Sequence, residues 1–284
     1  MDLKKLSYHL KTNNHEVISY RYHRIVKVLN EYYWGIQSDS KNCRYVGSYG
    51  RGTAIKGFSD VDIIVKLPIH EYQRFTNYSQ NGQSALLQDV KRALDSTYSR
   101  TLKKGDGQVV VVEFSDGIKF EIVPSFVIDG KITYPDSNKN GAWKQCDPVK
   151  EIEAINLVNK ATDGWIKDIC RLTRAWKEAN QVEISGILID NLAIDFMINN
   201  REKIFFTLEI YFGFYLLHLV NQRDIKYWIL YGSGDVIARN KFQFEDKALV
   251  AASELLKLIQ ATNYTDKKHA SEKLFGNIVN EVMI

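Results

Sequence analysis

Two aspartates one residue apart, Asp60 and Asp62, open the apolar run VDIIVKL. In an extended strand alternate side chains share a face, so both carboxylates point the same way with Cα atoms about 7 Å apart. Val61, Ile63 and Val65 point to the other face. Like charges side by side repel, and burial raises their pKa. A solvated edge, a lysine or arginine, or a divalent cation would relieve them. Upstream, Gly47-Ser48 stands 11 residues before the pair, directly after the short strand pattern RYV. Gly50, Gly52 and Gly57 leave backbone amides open in the intervening loop. Such a loop can cradle phosphate oxygens, and Ser48 adds a hydroxyl. An anion site next to paired carboxylates is what a nucleoside triphosphate with its Mg²⁺ requires.

A third carboxylate would complete such a site. QVVVVEFSDGIKFEIVP reads as a hairpin turning at Asp116-Gly117, a type I′ signal. With that turn Ser115 faces Ile118, Val112 faces Glu121 and Glu113 faces Phe120. Glu113 and Glu121 are then expected on opposite faces, and the pattern alone leaves open which one joins the aspartates.

The elements that must hold these residues follow from periodicity. Residues 1 to 35 carry apolar groups at helical spacing, including Leu6, Leu10, Val17, Tyr20, Ile25, Val28 and Leu29, and predict one or two helices. A polar loop, IQSDSKNCR, precedes the strand patterns RYVGS, VDIIVKL, QVVVVEF, IKFEIVP and FVIDGKITY. An amphipathic helix, SALLQDVKRALDSTY, separates the second from the third. From about residue 145 only helical patterns follow, starting with Asp147-Pro148 as a helix opening. Strands interleaved with a helix and then helices alone predict an α+β fold. Its expected parts are a core over 1–145, with an N-terminal helix, and a helical lobe over 146–284.

Bulk properties narrow the function classes. The chain has 284 residues, 38 basic against 34 acidic, and a formal net charge of +4. That is no whole-surface magnet for nucleic acid, so phosphate binding must be local. The short basic runs Lys103-Lys104 and Lys267-Lys268-His269 read as solvated surface. Three cysteines without a C-x-x-C pair argue against a disulfide framework or structural zinc and for a cytoplasmic setting. IFFTLEIYFGFYLLHLV, interrupted by Glu209 and His218, reads as a core helix, so no membrane association is expected.

These residues resemble a known family. GSYGRGTAIKGFSDVDIIV is similar to the G-S…S-D-x-D block of polymerase-β-like nucleotidyltransferases, and FEIVPSF to their third-acid strand. The wider resemblance is to bacterial relatives of cyclic GMP-AMP synthase, the cyclic-oligonucleotide synthases of anti-phage (CBASS) defence. Tyr134-Pro135-Asp136, Trp143 and Asp147-Pro148 fit the crossover into the helical lobe. LTRAWKEA, Ser185 and Asp190 look like the segment that holds a donor triphosphate, and EKLFGNIV like the last helix.

The resemblance implies a mixed sheet flanked by helices and packed against a C-terminal helical lobe that closes a nucleotide cleft. It selects Glu121 as the third acid, where the family usually has Asp. Asp60, Asp62 and Glu121 are then the expected catalytic and metal-binding residues, with Mg²⁺ as cofactor and Mn²⁺ as a substitute. Gly47, Ser48, Arg174, Lys177 and Ser185 are the expected nucleotide-binding residues. Arg174 stands where relatives commonly carry Lys, and Gly186 where some place a base-stacking aromatic. Tyr227, Trp228 and Tyr231 are the candidates to replace that aromatic.

The implied activity makes a cyclic di- or oligonucleotide second messenger from ATP, GTP or pyrimidine nucleoside triphosphates, with pyrophosphate release. A monomer is expected, acting on a downstream effector through its product, and no sequence feature supports a nucleic-acid activator. Two other readings share the scaffold: a template-independent transferase acting on RNA ends or a small molecule, and a non-catalytic nucleotide or RNA sensor.

Overall fold

The computed structural model describes residues 1–95, 97–98, 102–200, 207–239 and 242–282, without the side chains of 102–104 and 106. In chain order the elements begin with α1 (Leu3–His9), α2 (His15–Trp34), β1 (Cys43–Tyr45), α3 (Gly47–Arg51), β2 (Val61–Lys66), α4 (Ile69–Thr76) and α5 (Gly82–Asp95). Next come β3 (Leu102–Asp106), β4 (Val109–Glu113), β5 (Lys119–Ile128), β6 (Lys131–Asp136) and β7 (Ala142–Cys146). The remainder is α6 (Pro148–Ala161), α7 (Trp165–Asn180), α8 (Gly186–Asn199), α9 (Leu208–Val220), β8 (Tyr227–Ile229), β9 (Val236–Ala238), α10 (Glu245–Gln260) and α11 (Tyr264–Phe275). A 3₁₀ turn, Gly276–Glu281, closes the described chain. Residues 204–206 of the apolar segment and the side chains of Lys103 and Lys104 lie outside the described residues.

Backbone packing groups these elements into two compact units. One comprises residues 13–50 and 59–149, the other 1–12, 51–58 and 150–284. The sequence placed 1–12 and 51–58 with the strands. Leu3, Leu6, Leu10 and Ile55 are instead buried in one core with α7, α8, α9 and α10. The apolar side of a seven-residue helix needs a large partner surface, and the later helices supply it.

The sheet unit has seven strands in the order β1-β2-β5-β4-β3, with β6 pairing β5 and β7. The β2–β5 pair is parallel and the other pairs are antiparallel, so the sheet is mixed. Val61, Ile63, Val65, Val110, Val112, Phe120 and Ile122 form its buried face. Ile18, Tyr22, Ile25, Val26, Leu29 and Tyr33 of α2 cover them, along with Leu86, Leu87, Val90 and Leu94 of α5. The stripe on α2 is rotated from the expected one. Val17 and Tyr20 are exposed, and Tyr22 and Tyr33 fill their place. FVIDGKITY divides into β5 and β6, because Asp129 and Gly130 both take positive φ (50° and 77°) and turn the chain back.

In the helical unit α7 is buried along much of its length, from Ile166 to Trp176. Ser185 caps α8, its hydroxyl accepting from the Leu188 N–H at 3.3 Å. EKLFGNIV, expected in the last helix, divides between α11 and the 3₁₀ turn, since α11 ends at Phe275 and Gly276 has φ +67°. Among the described residues no helix is long and apolar enough to cross a membrane.

Candidate functional site

One face of the sheet carries the acidic residues and the opposite face the core. Asp62 of β2 is the direct register neighbour of Glu121 on β5. Paired positions on adjacent strands lie about 4.8 Å apart with side chains on one face, so the two carboxylates emerge together. Asp60, two residues before Asp62, extends the row past the start of β2. Its carboxyl is pushed up by burial and by Glu113, while Lys119 pulls it down.

The β4–β5 hairpin corrects the expected register. Val112 pairs Phe120, Val111 pairs Glu121 and Glu113 pairs Lys119, one position away from the sequence reading. The loop has three residues, Ser115 to Gly117, rather than two. Phe114 N–H donates to the Ile118 carbonyl at 3.0 Å, and Gly117 N–H to the Phe114 carbonyl at 2.9 Å. Gly117 has φ +84°, the left-handed residue that a three-residue hairpin loop needs. Arg21 holds the loop by donating to both Asp116 carboxylate oxygens, at 2.9 and 2.8 Å.

Shifting the register by one moves a whole strand to its other face. Glu113 therefore shares the face of Glu121 instead of opposing it. Lys119 joins them, with Nζ 3.6 Å from Glu113 Oε1. The sequence reading set Glu113 on the face opposite Glu121 and did not consider Lys119. Counting Ser115-Asp116-Gly117 as the loop would have found them.

Gly47 sits against the acidic row. It has φ +58°, and a Cβ placed there would lie 1.7 Å from Asp62 Oδ2. Antiparallel pairing of β1 with β2 brings it there, with Val46 N–H donating to the Asp62 carbonyl at 2.9 Å. Ser48 follows as the second residue of α3, half-buried. Tyr45 stacks on Tyr22 with centroids 4.1 Å apart and meets Tyr49 at 4.9 Å, backing the glycine turn with rings.

The donor set fits a hard divalent cation: the Asp62 and Glu121 carboxylates side by side, with Asp60, its carboxyl raised by burial, in the same row. Among the described residues no three His, Cys, Asp or Glu side chains form a ready-made metal cage. Mg²⁺ is ordinarily held by one or two carboxylates with substrate phosphates and water completing its shell. Asp62 and Glu121 supply that number.

In the helical unit the expected phosphate residues have different surroundings. Arg174 is buried and bound to Asp190, Nη1 to Oδ1 at 2.6 Å and Nη2 to Oδ2 at 2.9 Å. Nη2 also donates to the Gly186 carbonyl at 2.9 Å. Arg51 Nε and Thr53 Oγ1 donate to the same Asp190, at 2.7 and 3.0 Å. Arg51-Gly52-Thr53 thus ties the 51–58 segment to α8, and Arg171 adds a bond to the Gly52 carbonyl at 3.0 Å. The guanidinium of Arg174 is a structural partner in this arrangement rather than a surface cation. Lys177 is half-buried, with Nζ 2.7 Å from Glu178 Oε1. Ser185 keeps its place at the head of α8, half-buried. Of the aromatic candidates, Trp228 is buried and donates to Gln222, and Tyr231 donates to Asp195 at 2.8 Å. Tyr227 is exposed.

Three comparisons bear on this geometry. Among solved structures, the Escherichia coli MS115-1 CdnC:HORMA-deltaN complex matches with a TM-score of 0.73, 15% identity and 98% coverage of each chain. The Bradyrhizobium diazoefficiens CD-NTase CdnG in complex with GTP matches at 0.72 with 10% identity, covering 99% of this chain and 96% of that one. Vibrio cholerae DncV cyclic AMP-GMP synthase matches at 0.64 with 15% identity, covering 84% and 69%. At such identities the likeness is one of fold, that of a nucleotidyltransferase with a mixed sheet and a helical lobe. A curated "Probable cyclic nucleotide synthase" of Bacillus cereus (strain VD146) is 30% identical over 84 residues, 28% of this chain and 25% of that protein. The match thus spans about a quarter of the relative's length. The Second Messenger Oligonucleotide or Dinucleotide Synthetase (SMODS) domain profile matches residues 2–159, more than half of the 284 residues. With its acidic sheet face beside a glycine turn, this chain belongs to the SMODS family, the Second Messenger Oligonucleotide or Dinucleotide Synthetase domain.

Proposed function

We propose that the chain is a Mg²⁺-dependent nucleotidyltransferase that joins nucleoside triphosphates into a cyclic di- or oligonucleotide. The observation that carries this reading is the register pairing of Asp62 with Glu121, beside Gly47 and in line with Asp60. Asp60, Asp62 and Glu121 would hold the divalent cations. Bound Mg²⁺, or Mn²⁺ in its place, neutralises triphosphate charge and makes the acceptor hydroxyl more acidic. Glu121 would accept that hydroxyl's proton as the oxygen attacks the α-phosphate and pyrophosphate leaves. A second transfer within the linear product would close the ring. Gly47 gives the phosphates close approach to backbone, and Ser48 offers a hydroxyl. Ser185 and Lys177 are proposed as nucleotide contacts of the helical unit. Arg174 would act there by ordering Gly186 and Asp190.

GTP in the CdnG complex and ATP in a second CdnC structure support nucleoside triphosphates as the substrate class. The product would act on a downstream effector in anti-phage (CBASS) defence. The test is incubation of the full chain with ATP, GTP, CTP and UTP and Mg²⁺, followed by pyrophosphate detection and mass spectrometry. Phosphatase-resistant cyclic products are expected, and their loss in the doubly substituted Asp60→Ala, Asp62→Ala protein. Pyrophosphate with linear products only on an added RNA or small acceptor would favour a transferase of that kind. Thermal stabilisation by ATP with Mg²⁺ and no turnover would favour a sensor.

A further inference from the structure

The corrected register sets a base among the acids. Lys119 precedes Glu121 by two residues on β5 and so shares its face. On one side it pairs in register with Glu113 of β4. On the other stands Asp60, because Asp60 and Lys119 each lie one residue before the first β2–β5 pair, Val61 with Phe120. Lys119 thus occupies the strand between two acidic positions, about 4.8 Å of strand spacing from each.

Its hold on Glu113 is loose. Nζ lies 3.6 Å from Glu113 Oε1, and the two side chains are 41% and 37% exposed. A pair that open contributes little to folding, so stability alone does not account for a cation in the middle of the row. Its reach toward Asp60 is the more telling. Burial pushes the Asp60 carboxyl up, and of the two charges that bear on it Lys119, pulling down, outweighs Glu113, pushing up. Asp60, Asp62, Glu113 and Glu121 repel one another while no cation lies among them, and the ammonium offsets one of those charges.

Taking Asp60, Asp62 and Glu121 as the metal-holding residues of the proposed function, we infer that Lys119 is a resident counter-ion of the acid row. It steadies the row while empty and lowers its affinity for a divalent cation before nucleotide arrives. It is a positioning residue, acting on the cation through the charge of its acidic neighbours. At strand spacings of about 5 to 7 Å, a unit charge changes the affinity for a divalent cation by about tenfold even at the permittivity of water.

Mn²⁺ titration of the full chain without nucleotide, followed by the electron paramagnetic resonance of free Mn²⁺, tests it. Lys119→Gln should bind Mn²⁺ about tenfold more tightly than the unsubstituted chain, with far-UV circular dichroism unchanged. Lys119→Arg keeps the charge and should restore the weaker binding. Arg44→Gln controls for net charge. Arg44 is exposed and pairs with Ile64, two residues past Asp62 and away from Asp60, so its loss should change the affinity far less. Melting gives a second readout. Without divalent cation Lys119→Gln should melt below the unsubstituted chain, and saturating Mn²⁺ should narrow the gap, which a lysine that merely packs would leave constant. Equal Mn²⁺ affinity in Lys119→Gln and the unsubstituted chain overturns the counter-ion role, as does an Arg variant that behaves like the Gln one. An equal gain in Arg44→Gln overturns it too. Absence of Mn²⁺ binding in all four proteins instead sinks the metal site of the proposed function, and the counter-ion role with it.

Discussion

Gly47 and Asp62 touch so closely that a side chain at position 47 would overlap the carboxylate, with a Cβ 1.7 Å from Oδ2. Gly47→Ala meets two penalties, the overlap and the cost of a left-handed φ of +58°. Gly35→Ala isolates the second, since Gly35 has φ +63° and nothing within 4 Å. The backbone cost is on the order of 1 kcal/mol for either. The expectation is a larger drop in melting temperature for Gly47→Ala and loss of pyrophosphate release in that variant alone. Equal melting shifts would remove the contact from the account.

The corrected hairpin register puts four carboxylates on one face and makes their roles separable. Glu121 is adjacent to Asp62, whereas Glu113 pairs with Lys119 toward the other end of the row. A general base contributes about 10²- to 10⁴-fold. Glu121→Gln should fall by that order in the rate of pyrophosphate release, and Glu113→Gln by less than about tenfold. The reverse ranking would move the base to Glu113.

Much of this face was legible in the sequence, and its failures have physical causes. Alternation at Asp60-Val61-Asp62 gave the two-faced strand directly, because a strand's period is 2. Glu113 was set opposite Glu121 because a two-residue and a three-residue loop fit the same letters, FSDGI, and differ by one position in register. Arg174 was expected at the triphosphate through the resemblance of LTRAWKEA, and its buried partners were not foreseen. Only tertiary packing brings Asp190, Arg51 and Thr53 to it, and no local signal encodes an ion pair with Arg51, 139 residues away from Asp190. The division at 1–12 and 51–58 was hidden for the same reason, since Leu3, Leu6, Leu10 and Ile55 find their partners far along the chain.

Asp60 couples function to instability. Burial raises its pKa above the ordinary carboxylate value. A carboxyl raised in the folded state favours folding below its unfolded pKa and loses that contribution as pH rises through the folded value. At neutral pH the ionised group is therefore a cost, offset in part by Lys119. Asp60→Asn should melt a few degrees higher than the unsubstituted chain at pH 7 while failing to release pyrophosphate. Below about pH 4 the difference should close, because both side chains are then neutral. Mg²⁺ with ATP should stabilise the unsubstituted chain more than the variant. Differential scanning fluorimetry across pH reads all three, and a variant that melts lower at pH 7 contradicts the argument.

Asp190 has the opposite sign. Burial alone would raise its carboxyl, but Arg174 and Arg51 outweigh it and hold the pKa at about 2. A depressed carboxyl stabilises the fold above its unfolded pKa and loses that contribution as pH falls toward the folded value. The window runs from about pH 4 down to about pH 2. Asp190→Asn leaves two buried guanidiniums without their carboxylate, a cost of about 3–5 kcal/mol. Arg174→Met leaves Asp190 with Arg51 and Thr53, so it should cost less. Combining the two substitutions should be less than additive, because the second removes a charge that the first has already orphaned. Urea titrations of the two single variants and the double variant give the coupling. Repeating them from pH 7 to pH 3 should show the unsubstituted chain losing stability in acid while Asp190→Asn changes less. Full additivity, or parallel acid sensitivity in both proteins, would mean that Asp190 does not hold the 51–58 segment through charge.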